Sequence, residues 1–106
     1  MDIRLKRNQD FQKVFSKGKK SFSASLMLVY IKSDSLKLGY SVSKKHGGAV
    51  IRNRIKRLLR HSFMQFTDLI KGNYHIVIIP KVSENYTLLK FSLDLKYLLK
   101  KEGLID

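Results

Sequence analysis

Apolar positions along the chain fall into short stretches with distinct rhythms. Phe11, Val14 and Phe15 line one side of a predicted helix that Asn8 can cap and that Gly18 can end in a left-handed conformation. "SLMLVYIK" (25–32) is apolar and β-branched, and in "LKLGYSV" (36–42) Leu36, Leu38, Tyr40 and Val42 alternate at period two. Asp34 and Ser35 supply a turn between them, which predicts an antiparallel hairpin. A basic loop, "SKKHGG" (43–48), leads into a helix over 50–66. After Lys71-Gly72-Asn73, "YHIVIIP" (74–80) predicts a buried strand stopped by Pro80. From Asn85 to Lys101, Leu88, Leu89, Phe91, Leu95, Leu98 and Leu99 recur at the spacing of an amphipathic helix. The order is helix, two or three strands, helix, strand, helix. It predicts an α+β fold, a small two-layer sandwich, in a single domain over 1–106.

The helix at 50–66 is the unusual element. On a wheel of about 100° per residue, Ile51, Ile55, Leu58, Leu59, Ser62 and Phe66 form a stripe wide enough to face a core. Asn53, Lys56, Arg57 and Arg60 cluster opposite, with Arg52 and Arg54 flanking. A merely solvated face mixes charge signs, because like charges at i,i+4 destabilise a helix. Here no acid occurs between Asp34 and Asp68. Arg52 and Arg54 also stand near the helix N-terminus, where the macrodipole disfavours cations. Asn53 is a poor interior helix former, so a contact made by its side chain accounts for it better than the helix does. A polyanionic partner offsets these penalties.

Composition sharpens this. The chain has 106 residues, with 22 Lys and Arg against 8 Asp and Glu, and a net charge of +14. Such an imbalance favours nucleic acid first and an anionic membrane surface second. There is no Cys, hence no disulfide framework, thiolate nucleophile or Cys-based zinc site. "MDIRLKRNQDF" lacks the apolar region of a secretory signal, and no apolar run approaches the roughly 20 residues of a membrane span. A cytoplasmic setting fits.

"SVSKKHGGAVIRNRIKRLLR" (41–60), centred on Arg52-Asn53-Arg54, closely resembles the signature of the bacterial ribonuclease P protein subunit. "DFQKVFSKGK" (10–19) resembles the N-terminal helix of that family, so the resemblance covers nearly the whole chain. Gly48 stands where the family commonly has Asn, and Pro80 where an Arg often ends the fourth strand, with Lys81 next to it. The resemblance implies a ribosomal-protein-like α-β-β-β-α-β-α sandwich with a left-handed βαβ crossover at the basic helix. It also implies a protein cofactor for a catalytic RNA, which uses Mg²⁺ held mainly by the RNA to remove the 5′ leader of precursor tRNA.

By the same resemblance, Lys44, Lys45, Arg52, Arg54, Arg57 and Arg60 would meet the catalytic RNA. Phe11, Phe15 and Tyr30 would line a cleft for the single-stranded leader, bordered by Asn53 and Lys56. Exposed aromatics stack bases with little regard to sequence. Without the resemblance, Phe11 and Phe15 would be ordinary core residues and Tyr30 a half-buried strand tyrosine. Phe22, Tyr40, Phe63, Phe66 and Phe91 are assigned to the core. His46, His61 and His75 share no motif, so no catalytic or metal-binding residue is assigned to the protein. A structural RNA-binding protein is the nearest rival. A DNA reader would need helix-turn-helix spacing or a dimer surface, neither of which is visible. A membrane binder would need the apolar face that the basic helix gives to the core.

Overall fold

The computed structural model describes residues 3–106. Its elements are α1 (Asn8–Lys17), β1 (Lys19–Phe22), β2 (Leu26–Lys32), β3 (Lys37–Tyr40), α2 (Ala49–Met64), β4 (Tyr74–Pro80) and α3 (Leu88–Lys101). A 3₁₀ turn, Lys44–His46, precedes α2, and a second, Thr67–Leu69, follows it. This is the predicted α+β order, with three strands before α2.

The sheet runs β1-β2-β4-β3. β4, with its unbroken apolar run at 76–79, holds an interior place, where both faces can be covered. It pairs antiparallel with β2 and parallel with β3, and α2 makes the crossover between that parallel pair. The predicted hairpin between 25–32 and 36–42 is therefore not formed, because β4 lies between the two strands. The hairpin is instead β1–β2, closed where Ser23 and Leu26 exchange hydrogen bonds. The segment before α1 runs along the outer edge of β3, with Arg4 beside Leu38.

Strand alternation divides the sheet. Leu26, Leu28, Leu38, Ile76 and Ile78 pack against Ile55, Leu59 and Phe63 of α2 and against Phe91, Leu95, Leu98 and Leu99 of α3. Val29 and Val77 point the other way, against Val14 of α1 and Leu5. The two-layer sandwich thus has α1 as a partial third layer.

Two glycines show why α1 lies so close. A Cβ on Gly39 would stand 2.6 Å from Phe11 Cε1, so the Phe11 ring occupies the space a side chain there would need. A Cβ on Gly18 would come 2.4 Å from the Val14 carbonyl oxygen and 2.9 Å from Val29 Cγ1. Gly18 has φ −75° and ψ 159°, which is extended backbone rather than the predicted left-handed cap; close approach is what requires it. Nor is Asn8 the cap: Arg7 flanks the helix and makes no side-chain cap bond. In α3 the Thr87 hydroxyl accepts from the Lys90 amide, so the helix starts later than Asn85.

Candidate RNA interface

α2 carries the cations. Ile55, Leu59, Ser62 and Phe63 are its buried residues. The buried stripe is turned by about 40° from the predicted one, toward Phe63 and away from Ile51. Ile51 lies in the first turn, 46% exposed, with its side chain against Gly47 instead of the sheet. The rotation matters for Arg52, which falls at the edge of the buried stripe. It is half-buried, and its Nε is enclosed without a hydrogen-bond partner.

The other cations stay outside. Asn53, Arg54, Lys56, Arg57 and Arg60 are all exposed and share one shallow depression with Val50. Arg60 reaches the β3 side, where its charge acts on the Tyr40 hydroxyl. Burial pushes Tyr40 above the ordinary tyrosine value, and Arg60 partly offsets this. No side chain caps the N-terminus of α2, so its first amides add to the positive field of Arg52 and Arg54.

Lys44 and Lys45 are exposed on the 3₁₀ turn before α2. His46 holds that turn in place. Its Nδ1 accepts from the Ser43 amide at 3.1 Å, which leaves Nε2 to donate to the Pro80 carbonyl at 2.7 Å. The basic turn is thereby tied to the end of β4.

Between the turn and the strands lies a hollow of about 420 Å³ lined by Phe22, Met27, Ile79, Pro80 and Val82, with Lys45, His46 and Lys81 among its walls. It occupies the part of the sheet that α1 leaves bare. None of the leader-site residues named from sequence lines it. Phe11 and Phe15 are half-buried, 6.5 Å apart between ring centroids, and pack on the cluster around Val14, Val29 and Val77. Asn53 and Lys56 sit with the arginines of α2.

Tyr30 is on the opposite face of the sheet. Its hydroxyl donates to Glu102 Oε1 at 2.7 Å, and its ring meets Tyr74 edge-on at 5.8 Å. Burial first, then the hydrogen bond to Glu102, pushes its hydroxyl up to about 12. Burial pushes the Glu102 carboxyl up, but the hydrogen bond from Tyr30 and the neighbouring Lys19 ammonium outweigh it and hold the group below the ordinary carboxylate value. Lys19 lies 3.3 Å from it. Tyr30 is a structural tyrosine that anchors the end of α3, and the sheet cannot bring it to Phe11 and Phe15.

Phe22 corrects the sequence reading in the other direction. The sequence places it in the core, yet it is 54% exposed, whereas Phe63, Phe66 and Phe91 are buried as expected. The alternation Lys20, Ser21, Phe22 would have found it, since Ser21 is the inward member of that strand.

The histidines do not converge. His75 pairs with Ser33 at 3.2 Å, and His61 is exposed on α2. Among the described residues no group of three or more His, Asp or Glu side chains is placed to hold a metal ion.

The family profile described as Ribonuclease P matches residues 1–103. The chain belongs to the ribonuclease P protein family. Members of this family are the protein subunits of the enzyme that processes tRNA 5′ ends, and their partner is RNA. The ribonuclease P protein component of Clostridium kluyveri is 40% identical over 111 residues, covering 98% of each chain. That of Listeria welshimeri is 43% identical over 102 residues, covering 92% of this chain and 85% of its own. The solved ribonuclease P protein of Staphylococcus aureus superposes with a TM-score of 0.87 at 31% identity over the full length of both chains. That of Thermotoga maritima gives 0.81 at 30% identity, covering 92% of this chain and 96% of its own.

Proposed function

We propose that this subunit docks on the catalytic RNA of ribonuclease P through the outer face of α2 and receives the single-stranded 5′ leader of precursor tRNA in the hollow beside it. The observation that carries this reading is the pairing of an acid-free cationic helix face with an apolar hollow walled by lysines. Arg54, Arg57 and Arg60 neutralise phosphates of the catalytic RNA, with Arg52 at the stripe edge and Lys44 on the adjoining turn. Asn53 and Lys56 lie on the same surface and border the path from it to the leader. Lys45 faces the hollow and so meets the leader end of that path. Phe11 and Phe15 contribute the exposed parts of their rings from α1, while Tyr30 is withdrawn from the leader site.

The chemistry belongs to the RNA. The Mg²⁺ that the reaction uses is assigned to the RNA subunit, and no step is routed through the protein. What the protein supplies is positioning: each phosphate contact releases counterions, and a held leader orients the scissile bond. No described helix is long and apolar enough to cross a membrane, and a cytoplasmic site of action is proposed with the function.

Reconstitution tests this. A bacterial ribonuclease P RNA is assayed on 5′-extended precursor tRNA at low Mg²⁺, with and without the protein, over a series of leader lengths. The expected result is restored cleavage whose benefit disappears at leaders of one or two nucleotides. Unchanged cleavage despite tight RNA binding would leave only a structural RNA-binding protein.

A further inference from the structure

Phe22 is an exposed aromatic on the edge strand β1. The register places it opposite Met27, and Met27 opposite Ile79, so the three form one row across β1, β2 and β4. All three point to the face opposite α2 and α3. Val14 of α1 covers the neighbouring row, Val29 and Val77, and leaves this one open. An apolar row normally attracts a cover, yet its surroundings here are cationic. Lys45 and Lys81 stand in the walls, and Lys20 lies exposed two residues along β1 on the same face. A second copy of this chain would bring the same lysines against them. An unpaired nucleobase with its flanking phosphates offers the complementary pattern: a flat apolar face between anions.

We propose that Phe22 is a base-stacking residue for single-stranded RNA: one leader base lies on its ring over the Met27–Ile79 floor, with adjacent phosphates at Lys45 and Lys81. The proposal rests on the reading of the hollow as the leader site and adds its course. The strand crosses the sheet from the basic turn toward the β1 edge, roughly 10 Å over two strand spacings. Because stacking strength depends on ring size, this one leader position favours purines over pyrimidines, without hydrogen-bond readout of the base.

The chain has no Trp, so Phe22→Trp makes a unique reporter. In the reconstituted complex with catalytic RNA and precursor tRNA, the expected result is quenched Trp emission with a long leader and none with a leaderless tRNA. In parallel, 2-aminopurine is placed at successive leader positions. One position should be quenched by the wild-type protein and by Phe22→Tyr but not by Phe22→Leu. Phe22→Leu should also weaken leader-dependent affinity about tenfold, within the range of one lost stacked base, while leaving leaderless substrate unaffected. If leader length matters for the wild-type complex but Phe22→Leu matches it at every position and the Trp signal is unmoved, the stacking proposal falls and the leader reading stands. If leader length has no effect at all, both fall.

Discussion

The two faces of the sheet are built by the same strands and end up doing different work. The face that carries Leu28, Ile76 and Ile78 is closed by two helices and contains the largest buried side chains of the protein. The opposite face, carrying Met27, Val29 and Ile79, is covered by one ten-residue helix and stops short of being sealed. The comparison shows how a small protein economises. Most of the buried packing lies on one face, and the incomplete one leaves room for a ligand to take the place of a missing layer. The cations are likewise segregated, because α2 gives one side to the closed core and the other to solvent.

The sharpest way to break the comparison is to damage the sealed face. Phe63→Ala should cost about 3–5 kcal/mol, read by urea unfolding. For a domain of ordinary marginal stability that is a large fraction of the total. A loss near zero would mean that this face is not the one holding the fold. Gly39→Ala tests the half-covered face. Its new methyl must displace the Phe11 ring, and overpacking of this kind costs about 1–3 kcal/mol. The same variant should blunt the leader-length dependence of cleavage, because α1 shifts against the sheet.

Tyr30→Phe probes the closed side from its rim. Losing the bond to Glu102 should cost about 1 kcal/mol and leave leader dependence unchanged, as expected of a residue facing α3. The pH profile sharpens this. Glu102, held below the ordinary carboxylate value when folded, contributes stability that is present above that value and lost as pH falls through the folded one. Tyr30, raised from 10.0 to about 12, contributes stability present below pH 10 and lost as pH rises toward 12. The substitution should reduce the alkaline loss, leaving the part due to Tyr40, which burial also raises, measured as the urea midpoint against pH. Smallest in stability is Arg57→Ala, expected within about 0.5 kcal/mol of wild type because the residue is exposed. Its effect belongs to binding: the slope of log affinity for the catalytic RNA against log salt should fall by about one.

Much of this was legible in the chain. Period-3.6 spacing located α2 and α3, and "YHIVIIP" located β4, because each is long or strongly apolar. Strand pairing was not legible. The turn at Asp34-Ser35 suggests a local hairpin, and only the presence of β4, from far along the chain, shows that the slot beside β2 is taken. The face of Tyr30 was hidden for a related reason. β2 has apolar residues on both sides, so its alternation is silent about which side meets α1. The α2 stripe was misplaced by part of a turn because Ile51 is as apolar as Phe63, and only where the helix starts relative to the sheet decides between them. The cationic face survived that error, since no acid on either side could dilute it.

The parallel pairing of β3 with β4 carries a consequence for the order of folding. Lys37 pairs with His75, and the whole of α2 lies between them. Closing so long a segment has an entropic cost that must be met before the contact rewards it. During synthesis the basic helix therefore emerges before the strand that completes its sheet. Until β4 is made, Ile55, Leu59 and Phe63 lack half of their packing surface, while the arginines are already available to a polyanion. A polyanion that engages this face favours the formed helix and so shortens the disordered part of the loop that β3 and β4 must close. Refolding kinetics with and without catalytic RNA would show this as a faster rate-limiting phase.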